Sequence, residues 1–194
     1  MKYTQQSRAG KARENEDRLM VKELSPDTLL AVMADGMGGL DHGEIAAEIA
    51  INEIVNCFNT VDKDYEKTFY NALEKADNAI ACESARVGMK MGCAIAIVLI
   101  YNGVLHCVSL GNIRILCNDR ILTEDDVYVD PAGGTYLTKS LRGRGINPDF
   151  GIIHHPLTHG WHVCICTDGF YNNDDSDDAS VIDIVHNELL SSYH

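Results

Sequence analysis

The sequence predicts an α+β fold, with two helices and a strand-rich remainder. Two segments, Gly43–Phe58 and Tyr65–Val87, place apolar residues three or four positions apart, which is the spacing of an amphipathic helix. The other apolar runs are short, as expected of buried strands. Asn102-Gly103 joins two of these runs and is the strongest short signal for a β-hairpin turn.

Each predicted strand precedes the first helix or follows the second. The predicted strands are residues 18–21, 29–34, 94–101, 104–108, 113–117, 162–167 and 181–185. The apolar positions that define the helices are Ile45, Ile49, Ile54 and Phe58 in the first, and Tyr65, Phe69, Leu73, Ala76 and Ile80 in the second.

Composition limits the class of protein. The 194 residues are 45% hydrophobic, which suits one globular domain over residues 1–194. The longest apolar run, residues 93–101, is too short to span a bilayer, and the N-terminus lacks the apolar core of a secretory signal, so we expect a cytoplasmic protein. A net charge of −13 argues against binding nucleic acid or an anionic membrane. Seven cysteines without a Cys-x-x-Cys pair argue against a disulfide framework.

Acidic residues stand at the ends of several predicted strands. Asp35 ends an apolar run and is followed by the glycine-rich Gly36-Met37-Gly38-Gly39, and Asp168-Gly169 repeats this arrangement. Glu16-Asp17 and Asp177-Asp178 each come directly before a strand. Carboxylate and carbonyl oxygens are the ligands of hard divalent cations, so the pattern predicts a Mg²⁺ or Mn²⁺ site. Without cations these carboxylates would repel one another, so metal should stabilise the fold.

The ordered motifs resemble those of the metal-dependent protein phosphatases, also called PPM or type 2C serine/threonine phosphatases, in a compact bacterial form. That family's pattern runs Gly-x-x-Arg-x-x-Asn-Glu-Asp, Asp-Gly-Met-Gly-Gly, Gly-Asp-Ser-Arg, Ser-Asp-Gly and a late Asp-Asn-x-Thr. The counterparts here begin at Gly10, Asp35, Gly111, Thr167 and Asp177, although not every residue is kept. The resemblance covers about residues 10–185.

The resemblance implies a fold, a reaction and partners. The fold would be two antiparallel β-sheets packed face to face with helices on the outside, an αββα sandwich. The reaction would be hydrolysis of phosphoserine and phosphothreonine in proteins by a hydroxide that bridges two divalent ions, Mg²⁺ or Mn²⁺. The substrate would be a phosphorylated protein, and a serine/threonine kinase or its target is a reasonable partner.

The resemblance also assigns roles to single residues. Asp35 would bridge the two metals, the Gly36 carbonyl would bind one of them, and Asp168 and Asp177 would bind the other. Glu16 and Asp17 would hold metal-bound waters.

Arg13 is predicted to clamp the substrate phosphate. Its planar guanidinium makes two charge-assisted hydrogen bonds and stays protonated. The alternative for Arg13 is a surface salt bridge to Glu14 or Glu16.

Three departures from the family pattern leave a second function open. Asn112 replaces an aspartate that helps the family hold a third, accessory ion, so that ion is in doubt here. The flap, residues 123–136, is short, and only residues 170–176 replace the C-terminal helices of the family. The alternative is therefore a catalytically weak phosphatase-like module that binds a phosphoprotein or partner.

Two clusters allow other interpretations. Asp174, Asp175, Asp177 and Asp178 lie together, and Asp177 is preferred as the ligand because it stands just before the last strand, although its neighbours remain alternatives. The spacing does not match a calcium-binding loop. His154, His155, His159 and His162 could form a zinc site by spacing, but their predicted positions in strands and a turn favour a structural role.

Overall fold

The computed structural model describes residues 1–11, 14–37, 42–58, 64–147 and 149–186. These ranges contain twelve strands and three helices. In chain order the elements are β1 (Lys2–Arg8), β2 (Arg18–Ser25), β3 (Thr28–Gly36), α1 (Gly43–Phe58), α2 (Tyr65–Val87), β4 (Cys93–Tyr101), β5 (Val104–Leu110), β6 (Arg114–Cys117), β7 (Arg120–Ile121), β8 (Val127–Val129), β9 (Thr135–Leu137), β10 (Ile153–Pro156), β11 (His162–Cys166), α3 (Asp168–Tyr171) and β12 (Ala179–Val185).

The strands form two five-stranded sheets and one small hairpin. The first sheet has the order β10-β5-β4-β3-β2, and the second has the order β1-β12-β11-β6-β7. Strands β8 and β9 form a separate two-stranded hairpin that extends one residue beyond the predicted flap. All neighbouring strands run antiparallel. The predicted α+β class with two antiparallel sheets is therefore confirmed.

Strand β4 lies between two hydrophobic cores and so shows how the layers stack. Alternate residues of a strand point to opposite faces of the sheet. One row packs with residues of α1 and α2, and it consists of Cys93, Ile95, Ile97 and Leu99. The other row packs with β6, β11 and β12 of the second sheet, and it consists of Ala94, Ala96, Val98 and Ile100. Helices, first sheet and second sheet thus form three successive layers.

The two long helices begin and end where the sequence predicts. Asp64 caps α2 by accepting a hydrogen bond from the backbone N–H of Lys67. Gly88 ends α2 in the left-handed conformation, and its N–H donates to the carbonyl of Ser84. Phe58 and Phe69 pack edge to face where the two helices meet, with ring centroids 5.1 Å apart.

Some elements differ from the sequence prediction. Strand β1 was not predicted, because its seven residues are all exposed and show no apolar alternation. It forms through backbone pairing with β12 along its whole length. In the described part of the chain, both long helices lie on the first sheet, and the second sheet is contacted by the four-residue α3 at β12. No described helix has the length and apolar character needed to cross a membrane.

Candidate active site

The alternation of β3 places Asp35 on the face toward the second sheet. Leu29, Ala31 and Met33 belong to the core between the sheets, and Asp35 continues the same row at the end of the strand. Strand β11 of the opposite sheet ends at Cys166, directly before Thr167 and Asp168. The two strand-end carboxylates therefore lie on facing edges of the two sheets.

Gly36, next to Asp35, points the other way and touches the start of helix α1. A Cβ placed on Gly36 would lie 2.5 Å from the carbonyl carbon of Gly43 and 2.8 Å from Cβ of Glu16. A Cβ on Gly43 would lie 3.0 Å from a carboxylate oxygen of Glu16. This close approach of strand, helix and Glu16 requires glycine at both positions. Sequence reasoning used Gly43 only as a helix start and missed this contact.

Asp17 is a buried carboxylate in the same region. Its side chain accepts a hydrogen bond from the hydroxyl of Thr167 at 3.2 Å. Its Oδ1 atom is buried and has no hydrogen-bond partner among the described residues. Burial raises the pKa of Asp17 to about 7, and the negative charges of Asp178 and Asp177 add to the rise, while the hydroxyl groups of Ser180 and Thr167 oppose it.

The pKa values of Asp35 and Asp168 are raised by the same two causes, burial and neighbouring negative charges. Burial raises the pKa of Asp35 well above its usual range, and the charges of Asp17, Asp168 and Asp177 raise it further. Burial also raises the pKa of Asp168, with Asp177 as the next cause. The structure therefore brings Asp17, Asp35, Asp168 and Asp177 close enough to repel one another. As they stand, no three His, Cys, Asp or Glu side chains in the described ranges form a group that could hold a metal ion.

Asn112 is connected directly to this cluster. Its side-chain amide donates a hydrogen bond to Asp168 at 2.7 Å, and its backbone carbonyl accepts one from the Tyr171 hydroxyl at 3.0 Å. The guanidinium of Arg114 lies 3.7 Å from the centre of the Tyr171 ring and forms an ion pair with Asp125 at 2.7 Å. Asn112 is therefore held from both its backbone and its side chain.

Asp178 has a structural role that sequence reasoning missed. It is 6% exposed, and its two carboxylate oxygens accept hydrogen bonds from the backbone N–H groups of Gly10 and Glu16, each at 2.7 Å. Gly10 stands three positions before the Arg-Glu-Asn-Glu-Asp motif, and Glu16 is the fourth residue of that motif. One carboxylate thus ties residues on both sides of position 13 to the start of β12.

The other carboxylates before β12 have different partners. Asp174 accepts hydrogen bonds from the backbone and hydroxyl of Ser176, and Asp175 forms an ion pair with Arg8 at 3.1 Å. Asp177 accepts only a local bond, from the N–H of Asp178 at 3.0 Å, among the contacts of the described residues. Among these four carboxylates, Asp177 is therefore the one with only its neighbouring N–H as a described partner, and its charge raises the pKa of the clustered aspartates.

A comparison with models of known protein families identifies the family of this chain. The family model for protein phosphatase 2C matches residues 4–191. The chain belongs to the protein phosphatase 2C family. It is thus a phosphatase of the serine/threonine class, and the resemblance stated from the motifs is confirmed. A search of curated proteins finds no match.

Solved serine/threonine phosphatases share the fold of this phosphatase 2C chain. PstP/Ppp of Mycobacterium tuberculosis gives a TM-score of 0.80 at 19% identity, with 94% of this chain and 97% of that chain covered. The S. agalactiae enzyme gives 0.83 at 18% identity, with 94% and 98% covered. The PstP catalytic domain in complex with two manganese ions gives 0.78 at 18% identity, with 94% and 96% covered. At these sequence identities, the structural similarity establishes the shared fold alone.

Some predicted site residues of the phosphatase lie outside the described ranges, and the predicted histidine cluster does not form among the described residues. Arg13 and the Gly38-Gly39 pair lie outside the described residues. The four histidines are not gathered: His154 contacts His106 through their Nδ1 atoms at 2.8 Å, and His162 contacts Asp183 at 2.8 Å. His106 is 4% exposed, and sequence reasoning did not select it.

Proposed function

We propose that this chain hydrolyses phosphoserine and phosphothreonine in proteins with the help of two divalent cations, Mg²⁺ or Mn²⁺. One observation carries the proposal: carboxylates from four separate segments lie close enough for their charges to interact, and burial together with neighbouring negative charges raises the pKa values of Asp17, Asp35 and Asp168. Such an arrangement is costly unless a cation or a proton neutralises it. The acidic residues in question are Asp17, Asp35, Asp168 and Asp177.

The donor set suits hard cations. Oxygen ligands from carboxylates, a backbone carbonyl and water are those that Mg²⁺ and Mn²⁺ prefer. Asp17 supports the fit most directly, because its buried Oδ1 lacks a described partner. In the proposal Asp35, Asp168, Asp177 and the Gly36 carbonyl hold the ions, and Glu16 and Asp17 hold surrounding waters.

The chain's own residues prepare the site in two ways. Asn112 holds one oxygen of Asp168 and so limits rotation of that carboxylate. Asp178 ties Gly10 and Glu16 to β12, which fixes both ends of the segment that carries the proposed phosphate clamp, Arg13. When bound, the two cations would lower the pKa of a water from about 15.7 toward about 7 and so supply the nucleophile.

Asp35→Asn tests the reaction. The native chain should hydrolyse p-nitrophenyl phosphate and a phosphothreonine peptide with Mn²⁺, and Asp35→Asn should lose at least about a hundredfold in kcat, since it removes a charge that would hold the cations. Asp27→Asn makes the same change in an exposed turn and should keep the native rate. Calorimetric titration with Mn²⁺ measures binding in each protein.

The same experiment separates the alternative function. Equal background rates in the native chain and Asp35→Asn, with Mn²⁺ binding intact, would favour a module that binds a phosphoprotein without turnover. Absence of Mn²⁺ binding at millimolar concentration would remove the basis of both functions. In either function the partner is a phosphorylated protein, for which a serine/threonine kinase or its target is a candidate.

A further inference from the structure

A pocket of about 270 Å³ lies beside the flap hairpin. It is lined by Leu110 at the end of β5, Leu137 at the end of β9 and residues of the loop that follows β9. Three of its lining residues are basic, and no acidic residue lines it among those described. The basic residues are Lys139, Arg142 and Arg144, and we call the site the arginine pocket. In a chain of net charge −13, such a grouping is unexpected.

The two arginines have no acidic partner in the described part of the chain. Arg142 donates from Nε to the Ser140 hydroxyl at 2.6 Å and from Nη2 to the Leu137 carbonyl at 3.2 Å, both neutral acceptors. Lys139, by contrast, forms an ion pair with Asp126 at 2.7 Å. Burial, followed by the charge of Arg144, lowers the pKa of Arg142, although a guanidinium stays protonated. A bound anion would relieve this repulsion.

The loop that carries both arginines is held by a buried carboxylate. Asp77 of α2 is 2% exposed and accepts hydrogen bonds from the backbone N–H groups of Arg142, Gly143 and Gly145 at 2.9, 2.8 and 2.7 Å. Gly143 has a φ of 67°, and a Cβ there would lie 2.6 Å from Cα of Ala81. The loop is therefore fixed against α2, which reduces the ordering cost of binding.

The arginine pocket is next to the candidate active site. The backbone N–H of Met37, two residues after Asp35, donates to the carbonyl of Gly92 at 3.0 Å. A Cβ on Gly92 would lie 3.0 Å from Cγ of Arg142 and 3.2 Å from the Met37 sulfur. The stem of Arg142 and the side chain of Met37 thus pack on the same glycine.

We propose that the arginine pocket binds a second anionic side chain of the protein substrate, either phosphorylated or acidic, while the phosphoresidue to be hydrolysed lies at the carboxylate cluster. Arginine pairs with phosphate and carboxylate through two parallel hydrogen bonds. The volume is slightly below the roughly 300 to 1,000 Å³ of small-molecule pockets, which suits a single side chain. This inference rests on the proposed phosphatase function and adds a substrate preference to it.

The test compares Arg142→Gln and Arg144→Gln with the native chain and with Arg120→Gln, an exposed control in β7. Each protein, with Mn²⁺, hydrolyses a phosphothreonine peptide with neutral flanks and matched peptides that add a phosphoserine or a glutamate at several positions on either side. The measured quantity is the ratio of kcat/KM with the second anion to kcat/KM without it. We expect a native ratio of about ten, which falls to about one in the pocket variants, as for one lost charge-assisted hydrogen bond.

Every outcome bears on the proposal. A loss confined to the phosphoserine peptides assigns the pocket to phosphorylated residues, and a loss with both kinds of peptide assigns it to anionic side chains in general. Equal ratios in the native chain and Arg144→Gln at every position overturn the inference. Arg142 also bonds its own loop, so Arg144→Gln decides the test if Arg142→Gln does not fold.

Failure of the proposed function gives a different result, because the native chain would then hydrolyse none of the peptides. Fluorescence anisotropy with the same labelled peptides would then measure the preference as a ratio of dissociation constants. A tighter complex with the second anion that weakens in Arg144→Gln supports the pocket without any turnover. Equal dissociation constants overturn it.

Discussion

The side-chain amide of Asn112 donates a hydrogen bond to the carboxylate of Asp168 over 2.7 Å. The family pattern has an aspartate at this position, and a carboxylate there would repel Asp168 instead of holding it. Burial and the charge of Asp177 already raise the pKa of Asp168, so one more negative charge would add to that strain. Asn112 therefore stabilises the site in the absence of metal. It offers an accessory ion only a neutral amide oxygen in place of a carboxylate.

Asn112→Asp should reverse this balance. Without metal the variant should be less stable than the native chain by roughly 1 to 3 kcal/mol, because a hydrogen bond to a charged group is replaced by repulsion. With Mn²⁺ its melting temperature should rise by more than that of the native chain. Thermal denaturation with and without Mn²⁺ measures both effects. Asn102→Asp, the same change in an exposed turn, should alter neither, and equal Mn²⁺ shifts in all three proteins would contradict the argument.

The neighbours Asp177 and Asp178 should respond in opposite ways to replacement by alanine. Asp178→Ala leaves two backbone N–H groups without their acceptor, so the metal-free chain should lose about 3 kcal/mol of unfolding free energy. Asp177→Ala should keep most of this stability but lose most of the stabilisation by Mn²⁺. Urea denaturation with and without Mn²⁺ measures both. Asp175→Ala removes an exposed ion pair and should cost less than about 1 kcal/mol. The reverse assignment of the two effects would make Asp178 the metal ligand.

The free energy of unfolding of the metal-free chain should depend on pH through the Asp17 carboxyl. Its folded pKa is raised from 3.8 to about 7, so the folded state holds this proton more tightly than the unfolded state. The contribution to stability is complete below pH 3.8 and is lost as the pH rises through 7. The native chain should therefore lose up to about 4 kcal/mol relative to Asp17→Asn between pH 4 and 8. Urea denaturation across this range, with exposed Asp149→Asn as control, measures the difference, and a constant difference would refute the shift.

His106 should make the fold sensitive to acid. Burial, followed by the charge of His154, lowers its pKa below the ordinary 6.5, so the unfolded chain takes up the proton more readily than the folded one. The contribution to stability is complete above pH 6.5 and is lost as the pH falls below it. His106→Gln should therefore lose less stability than the native chain between pH 7 and 5, measured by thermal denaturation. His159→Gln, an exposed control, should follow the native curve, and parallel curves for His106→Gln would reject the prediction.

The parts of the fold that were predicted have local causes. Helix α1 was predicted to its end residues, and α2 also has a capping aspartate and a terminating glycine within its own sequence. The β4–β5 hairpin follows from Asn102-Gly103, whose residues both have positive φ. Strand β1 was missed because a polar edge strand has no periodic signal and forms only when β12 is beside it.

The sequence by itself determined the family, the two long helices, the main strands and the acidic residues at strand ends, because periodicity, turn glycines and ordered motifs are all local features. The tertiary structure alone decided which carboxylates lie near one another and which of them already accept hydrogen bonds from distant residues. Asp178 meets Gly10 across 168 positions, Asn112 meets Asp168 across 56, and Asp77 holds the arginine loop across 65. No local pattern encodes such pairs, because they depend on how the two sheets and the helices pack.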